Sequence, residues 1–287
     1  IARALADEGW VVHGLGHGGW PAEAWRPWGL SAWHGTHVGP GTLEAWGGTP
    51  ELVVHCAGGA SVALSMERPA EDFERSVVST VAVLDYVRRR APAARVVVPS
   101  SAAVYGSTGQ EAAREDRLTG PESFYGSHKC MVEELCKEYG RFHGVASAVV
   151  RFFSVYGPGL RRQLLWDACC KLSEGRRTFA GSGSELRDWL AVEDAARLLV
   201  RATGAASPTR PILNGATGEA VTVRQVLELV ASRLGSEPPV FSGTARAGDP
   251  ERLVADVTAA RKLGWAPRVA WREGVTSYCD WFRAGAA

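Results

Sequence analysis

ELVVHCAG, residues 51–58, and ARVVVPSS, residues 94–101, are short apolar runs that each end in small residues. Such runs are typical of parallel strands that are buried on both faces. The segment between them, PAEDFERSVVSTVAVLDYVRRR (69–90), predicts a long helix with proline in its first turn. A strand, a helix and a second strand form a β-α-β unit, which predicts a parallel sheet with a right-handed crossover.

The alternation of helix and strand continues on both sides of this unit. The further predicted elements are a helix over IARALADE (1–8), a strand over WVVHGLG (10–16), a helix over FYGSHKCMVEELCKEYGRFHG (124–144) and a strand over ASAVVRFF (146–153). Their repetition predicts a doubly wound α/β fold. Such a fold normally opens with a strand and a glycine-rich turn, whereas this sequence begins within the helix that follows them. We expect that strand to be left out of this sequence and the sheet to be visibly incomplete.

The pattern changes after VYGPG (155–159), where short strands and Gly/Pro turns separate the helices. We therefore predict a sheet domain over residues 1–155, rejoined by about 187–205. Residues 156–186 and 206–287 are expected to form a smaller mixed α/β cap over the carboxyl ends of the strands.

The composition of the 287 residues excludes several classes of partner. With a net charge of +1, the chain gives no electrostatic basis for binding nucleic acid or an anionic membrane. No apolar run approaches the ~18 residues that a membrane span needs. The six cysteines lack the spacing of a disulfide framework, which indicates reduced thiols and a cytoplasmic protein.

Four histidines raise the possibility of a metal site. His13, His17, His34 and His37 lie near the ends of two adjacent predicted strands, and four imidazoles could bind zinc. However, no cysteine or carboxylate completes a usual ligand spacing. We predict no metal.

Tyr125 and Lys129 lie four positions apart and share one face of a predicted helix. A nearby cation favours phenolate and lowers a tyrosine pKa that is about 10 when unperturbed. Taken alone the pair is a weak signal, because both residue types commonly cover helix surfaces. Ser101, however, ends a strand, and doubly wound folds hold ligands at the carboxyl ends of strands. The three side chains suit hydride transfer at a carbinol: serine steadies the oxygen, tyrosine moves its proton, and lysine lowers the tyrosine pKa while holding a ribose.

Five motifs stand in a fixed order along the chain. They are PSSAAVYGS (99–107), YGSHK (125–129), RFFSVYGPG (151–159), RDWLAVEDAARLL (187–199) and ARAGDPERLVAD (245–256). Together they resemble the extended short-chain dehydrogenase/reductases of the NAD-dependent epimerase/dehydratase type, which modify nucleotide sugars. The features are most similar to those of UDP-glucose 4-epimerases and their O-antigen relatives.

The resemblance implies roles for individual residues. The catalytic residues would be Ser101, Tyr125 and Lys129. A dinucleotide cofactor, NAD or NADP, would be contacted by Gly16, His17, His37, Cys56, Ala57, Gly58, Ser100, Tyr125, Lys129 and Phe152. A nucleotide-diphosphate sugar would be contacted by Ser101, Ser154, Arg187, Arg246 and Asp249, since guanidinium forks pair with phosphate oxygens. The alternative for the two arginines is a surface salt bridge with Asp188 or Asp249.

The sequence departs from the family pattern at several positions. Ala102 and Ala103 stand where dehydratases carry acidic residues, which disfavours elimination of water. Ser154 and Ser76 stand where asparagine is usual, and the shorter side chain of Ser154 reaches less far toward the diphosphate. Gly16 stands where an acid would bind the adenosine ribose of NAD, and this leaves the choice between NAD and NADP open.

Three functions remain compatible with these residues. The first is a nucleotide-sugar epimerase that oxidises and re-reduces one carbinol, and the second is a one-way reductase of a 4-keto nucleotide sugar. The third is a non-catalytic scaffold with a dehydrogenase-like fold. Members of the resembled family commonly pair two helices with a twofold mate. Because the helices at 69–90 and 124–142 carry apolar residues on more than one face, we expect a homodimer through them.

Overall fold

The structure is a computed structural model, and it describes residues 1–244 and 250–285. Its α-helices are α1 (Ala2–Asp7), α2 (Ala22–Trp25), α3 (Pro40–Trp46), α4 (Val62–Glu67), α5 (Pro69–Phe73), α6 (Ser79–Arg90), α7 (Phe124–His143), α8 (Gln163–Ser173), α9 (Val192–Ala205), α10 (Val223–Leu234), α11 (Thr258–Lys262) and α12 (Trp271–Arg283).

The strands alternate with these helices along the chain. They are β1 (Val12–Gly16), β2 (Leu30–Gly35), β3 (Leu52–Val54), β4 (Arg95–Ser101), β5 (Ala146–Phe152), β6 (Ser154–Tyr156), β7 (Thr178–Phe179), β8 (Leu186–Arg187), β9 (Trp189–Ala191), β10 (Ile212–Gly215), β11 (Val221–Thr222), β12 (Val240–Phe241) and β13 (Arg252–Leu253).

The chain forms two compact units. Unit 1 comprises residues 1–104, 119–151 and 196–213, and unit 2 comprises residues 105–118, 152–195 and 214–287. Each unit has a hydrophobic core of its own. None of the helices in the described part of the chain is both long and apolar enough to cross a membrane.

The sheet of unit 1 is built on the two runs that predicted it. β3 pairs with β4 in parallel, with Val54 opposite Val97. Val96, Val97 and Val98 are almost fully buried. Since successive strand residues face opposite sides, three buried residues in a row mean that both faces of β4 are covered. The doubly wound α/β prediction is confirmed.

The sheet is interrupted, as expected. β1 pairs in parallel with β2, whereas β3 ends a separate sheet with the order β10-β5-β4-β3. Among the described residues no strand joins the two sheets. β1 and β3 both line a cavity of about 930 Å³, whose wall includes Leu15, Val53 and Tyr86.

The helix predicted over residues 69–90 is corrected to two helices. A π-helical stretch, Glu74–Val78, joins α5 to α6. Two hydroxyls at the start of α6 bond back to carbonyls of this stretch: the Ser79 hydroxyl donates to the Arg75 carbonyl, and the Thr80 hydroxyl donates to the Ser76 carbonyl. Hydroxyl bonds to carbonyls one turn back compete with the regular helix ladder, and π-bulges occur frequently at functional sites.

Unit 2 is organised around a buried carboxylate. Asp188, between β8 and β9, is fully buried and accepts hydrogen bonds from the backbone N–H groups of Thr217, Gly218 and Ala255. A buried carboxylate requires such partners, because leaving water is costly for a charged group. These bonds fix the backbone beside Arg187.

Candidate active site

Local packing brings the start of α7 against the end of β4. Ser123 caps the helix, because its hydroxyl accepts from the Gly126 N–H at 3.1 Å. A Cβ atom at Gly126 would lie 2.6 Å from the Ala103 carbonyl oxygen, so only glycine permits this close approach. The backbone N–H of Tyr125 donates to the Ser65 hydroxyl at 3.0 Å. The first turn of α7 is therefore held at the carboxyl end of β4, where Ser101 lies.

Ser101, Tyr125 and Lys129 come together as the sequence predicts. Ser101 lies close enough to the Tyr125 phenol to lower its pKa. The Lys129 ammonium lies 5.7 Å from the centre of the tyrosine ring and donates to the Pro99 carbonyl at 3.2 Å. A hydroxyl, a phenol and an ammonium thus converge at one point, and that set can hold and move a proton.

The expected direction of the tyrosine pKa is wrong for this structure. Burial raises the pKa of Tyr125 above its ordinary value; the Ser101 hydroxyl lowers it, and the Asp72 charge raises it further. Burial also lowers the pKa of Lys129, which opposes a full charge on the ammonium. The sequence argument included the effect of the Lys129 charge on the tyrosine pKa. It could not include the loss of solvation at both groups, which depends on tertiary packing.

The residues after β3 form a cradle beside Lys129. Gly58 has a φ of +146°, and a Cβ there would lie 3.6 Å from the Lys129 nitrogen and 3.4 Å from the Ser76 oxygen. Ser76 accepts a hydrogen bond from the Gly59 N–H at 2.9 Å. The serine that stands in place of the usual asparagine therefore holds the turn that Cys56 and Ala57 begin.

This cradle fits a nicotinamide cofactor. An ammonium has three donors, and within the described residues the Pro99 carbonyl is the recorded acceptor for Lys129. The ammonium can therefore also donate to ribose hydroxyls, next to a glycine backbone that leaves room for a ligand. Lys129, Gly58 and the backbone of Cys56 and Ala57 are the residues that would hold the cofactor.

Ser100 lies apart from this cluster. Its buried hydroxyl donates to the Glu133 carboxylate at 2.6 Å, and Arg151 pairs with the same carboxylate at 2.7 Å. The Arg210 guanidinium lies 3.7 Å from the same Glu133 carboxylate. Neighbouring residues of a strand point to opposite faces, so Ser101 meets Tyr125 while Ser100 meets Glu133. The Ser100 hydroxyl is engaged in a buried ionic network rather than directed toward the proposed cofactor contacts.

The ends of β1 and β2 bring the predicted adenosine residues together. Gly16 pairs with Gly35, and the rings of His17 and His37 just beyond them are 5.8 Å apart. A second pair, His13 and His34, has ring centres 5.9 Å apart. Within residues 1–244 and 250–285 no three His, Cys, Asp or Glu side chains are grouped as metal ligands.

Ser154 and Arg187, two of the predicted substrate residues, belong to unit 2. Ser154 is the first residue of β6, and its N–H donates to the Asp188 carbonyl. Arg187 on β8 is buried, with 8% of its surface exposed. Burial raises the pKa of Asp188, against the effect of the hydrogen bonds that it accepts. Phe152 is the half-buried last residue of β5. Arg246 and Asp249 lie outside the described residues.

Sequence reasoning missed a buried, hydrogen-bonded pair in unit 1. Asp72 on α5 and His128 on α7 are joined by a bond of 2.6 Å between Oδ2 and Nδ1. The signal was present, because His128 lies inside YGSHK and Asp72 lies inside PAEDF. The two residues are 56 positions apart, however, and nothing local connects them.

The parallel sheet and the Ser101–Tyr125–Lys129 cluster at its carboxyl end define a short-chain dehydrogenase/reductase of the extended type. Within that class, the chain belongs to the NAD dependent epimerase/dehydratase family, whose model it matches over residues 1–214. The family assignment confirms the resemblance and the expectation of a nicotinamide cofactor.

Individual proteins of this family are similar over most of the chain. The UDP-glucose 4-epimerase of Mycolicibacterium smegmatis is 30% identical over 240 residues, which cover 82% of this chain and 76% of that protein. The UDP-glucose 4-epimerase of Thermus thermophilus, solved in complex with NAD, has a TM-score of 0.88 at 27% identity and covers 99% of this chain and 94% of its own. MoeE5 in complex with UDP-glucose and NAD has a TM-score of 0.86 at 27% identity, with the same coverage.

Proposed function

We propose that this protein is an NAD-dependent epimerase that inverts C4 of a nucleotide-diphosphate sugar. The observation that carries the proposal is the Ser101–Tyr125–Lys129 cluster. Ser101 is followed in the sequence by Ala102 and Ala103, whose methyl groups cannot transfer the protons that dehydration requires. The relatives described as UDP-glucose 4-epimerases support this reaction.

The side chains of the cluster divide the chemistry among them. NAD, when bound, would supply the acceptor and donor of a hydride at the sugar carbon. Ser101 donates to the sugar C4 oxygen and fixes its position. Tyr125 takes the proton of the C4 hydroxyl and returns it to the same oxygen once the keto sugar has turned its opposite face toward the cofactor. Lys129 holds the ribose and stabilises the phenolate when it forms.

The diphosphate of the substrate is assigned to the arginines. Arg187 lies on a strand whose backbone is held by Asp188, so its guanidinium is presented from a rigid element. Arg246 and Asp249 complete the proposed contacts with the diphosphate and the nucleoside ribose, and Ser154 adds a short polar contact. UDP is the nucleotide carried by the relatives' substrates, and we extend it to this chain as the first to test.

The test is a product assay with the full-length protein. UDP-glucose, UDP-galactose and UDP-glucuronic acid are each incubated with and without added NAD(H) and NADP(H), and the products are separated by chromatography. We expect interconversion of C4 epimers without consumption of reductant. Stoichiometric loss of NAD(P)H on a 4-keto sugar would instead identify a reductase. Binding of the sugar without turnover would identify a scaffold.

We also propose a homodimer through α6 and α7, which pack side by side. Of the apolar residues on these helices, Leu84 and Tyr86 are buried in the core of unit 1, whereas Val81, Met131 and Phe142 are exposed. An exposed apolar patch of this kind suits a second copy. Light scattering should give a dimer at micromolar concentration, and Met131→Asp should reduce the mass by half. A monomeric unmodified protein would contradict the proposal.

All six cysteines are free thiols, and this supports a reducing, cytoplasmic location.

A further inference from the structure

The short helix α4 turns a serine inward and its apolar side chains outward. Among the six described residues of α4, Ser65 alone is buried, and it is buried completely. Val62, Leu64 and Met66 are exposed, by 40, 38 and 54% respectively. A surface helix normally directs its apolar side chains toward the core. In α4, a polar contact rather than apolar burial therefore marks the face that points inward.

The hydrogen bonds of the Ser65 hydroxyl join α4 to the start of α7. This hydroxyl donates to the Val62 carbonyl at 2.7 Å and accepts from the Tyr125 N–H at 3.0 Å. The first N–H groups of a helix have no partner within that helix. The Gly126 N–H finds its acceptor locally, in the Ser123 hydroxyl. The Tyr125 N–H, in contrast, is bound by a residue 60 positions away.

Two different forces hold the first turn of α7. One is steric, because a Cβ at Gly126 would lie only 2.6 Å from the Ala103 carbonyl oxygen. The other is the bond from the Tyr125 N–H to Ser65, on a helix that packs against α7. A steric contact limits how closely two segments approach, whereas a hydrogen bond limits how far they separate. Together they fix the turn that carries the phenol.

α4 also continues directly from the cofactor cradle. The cradle, residues 56–59, leads into Ser61, whose hydroxyl caps α4 by accepting from the Leu64 N–H at 3.2 Å. Ser65 lies one turn further along the same helix. Its bond therefore connects the segment that would hold the nicotinamide cofactor to the residue that carries the phenol. A proton carrier and a hydride carrier that act on one carbinol require a fixed separation.

We propose that Ser65 is a positioning residue, which fixes the Tyr125 phenol relative to the cofactor cradle by binding the first turn of α7 to α4. Without the hydroxyl, the Tyr125 N–H loses its acceptor and the turn is free to move away from α4. The effect on catalysis rests on the proposed function, since it assumes that Tyr125 carries the proton. The placement of the phenol does not require turnover.

Two substitutions separate the hydrogen bond from the shape of the side chain. Ser65→Ala removes the hydroxyl, and Ser65→Cys keeps nearly the same shape but offers only a weak acceptor. The matched control is Thr222→Ala in unit 2. The Thr222 hydroxyl accepts from the Gln225 N–H at 3.1 Å and caps α10, so its loss weakens a helix start that belongs to neither α4 nor α7.

Three measurements follow the bond, the phenol and the reaction. Hydrogen exchange at the Tyr125 amide, measured by NMR, should become about 10-fold faster in both Ser65 variants, as expected for the loss of one hydrogen bond. The tyrosinate absorbance is titrated as the difference from the same protein carrying Tyr125→Phe, which isolates Tyr125 among six tyrosines. This titration should shift to lower pH, because part of the burial that raises the Tyr125 pKa is lost.

The third measurement is turnover. In both Ser65 variants kcat should fall by up to about 100-fold, the cost of a misplacement of about 1 Å. KM for the nucleotide sugar should be nearly unchanged, because its diphosphate is assigned to other residues. Thr222→Ala should lower the thermal midpoint and leave the exchange at Tyr125, the titration and kcat as they are. If Ser65→Ala does not fold, judged by circular dichroism, Ser65→Cys alone decides the test.

Three results would overturn the inference. Unchanged exchange at Tyr125 would show that Ser65 does not hold that N–H. Faster exchange with an unchanged titration, or with a normal kcat in an active protein, would reduce Ser65 to a helix cap. Normal behaviour of Ser65→Cys would show that shape matters and the bond does not. If the unmodified protein converts no nucleotide sugar, the proposed function fails, whereas the exchange and the titration still decide whether Ser65 places the phenol.

Discussion

His55 and His17 each follow a strand of unit 1, yet their surroundings are opposite. His55, just after β3, is buried, and its Nε2 shares hydrogen bonds with the hydroxyls of Thr80 and Ser79. Burial, with a smaller effect of the Lys129 charge, lowers the pKa of His55 to about 4. His17, just after β1, is exposed and lies beside the exposed ring of His37.

The same contrast separates two regions of the unit. In the catalytic region, formed by β3, β4, α5 and α7, the polar groups are buried and bound to one another. In the β1–β2 region, which includes the loops after these strands and α3, the side chains of His13, His17 and His37 are exposed. Rigid placement of reacting groups is what proton transfer requires, because misplacement by about 1 Å can cost 100-fold in rate. The exposed β1–β2 region, where the adenosine end of the cofactor is predicted to bind, does not require such precise placement.

The largest effect expected in the catalytic region is on turnover. Tyr125→Phe should lower kcat by about 10²–10⁴-fold, since the phenol is the proposed proton carrier. Cofactor binding, measured by fluorescence quenching, should be nearly unchanged, because Lys129 and Gly58 remain. Tyr139→Phe on the same helix is the control and should retain activity. Normal turnover by Tyr125→Phe would contradict the assignment of proton transfer to the catalytic region.

The next effect is on the free energy of unfolding. Arg151→Met leaves the Glu133 carboxylate without its shortest cationic partner, and breaking a buried pair costs about 3–5 kcal/mol. Arg89→Met removes a more exposed partner of Glu44 on α3 and should change the free energy of unfolding far less, because solvent screens that pair. Urea unfolding of both variants measures the difference. Equal losses would show that burial does not separate the two regions energetically.

Acid should destabilise the protein through His55. Its folded pKa of about 4 lies below the ordinary 6.5, so between these pH values the unfolded chain binds a proton that the folded chain does not. Stability should therefore fall as the pH falls through this window, by up to about 3 kcal/mol, at about 1.4 kcal/mol for each pH unit. His55→Gln should reduce that slope in urea unfolding, whereas His17→Gln should not. A slope that is the same in both variants would contradict the pKa assignment.

The smallest effect distinguishes two glycines. A Cβ at Gly59 would meet Asp72, whereas nothing lies within 4 Å of a Cβ at Gly19. Gly59→Ala should therefore destabilise the protein by about 1–3 kcal/mol, the usual effect of overpacking, and Gly19→Ala should change little. Thermal unfolding compares the two. A neutral Gly59→Ala would mean that the turn after β3 can move away from α5.

Local sequence patterns predicted the main elements of unit 1. The apolar runs at 51–58 and 94–101 became β3 and β4, and the helix expected from residue 124 is α7. These predictions succeed because strands and helices have fixed side-chain periods that a sequence displays directly. The interruption by Glu74–Val78 was not predicted, since it depends on hydroxyl bonds that compete with the helix ladder.

The candidate site was predicted in part. Tyr125 and Lys129 were found from their spacing, and Ser101 from its place at a strand end. The separate environment of Ser100 could have been found as well, because strand alternation turns adjacent serines to opposite faces. The Asp72–His128 pair could not, because a contact between residues 56 positions apart depends on how α5 and α7 pack.

The sequence by itself determined the alternating elements, the family motifs and the proposed proton-transfer groups, because each of these depends on local spacing. Tertiary structure alone decided the state of those groups. Burial raises the pKa of Tyr125, which the sequence argument expected to be lowered, and it lowers the pKa of Lys129. The physical reason is that solvation depends on everything that packs around a side chain, and neighbours from distant parts of the chain replace the water there.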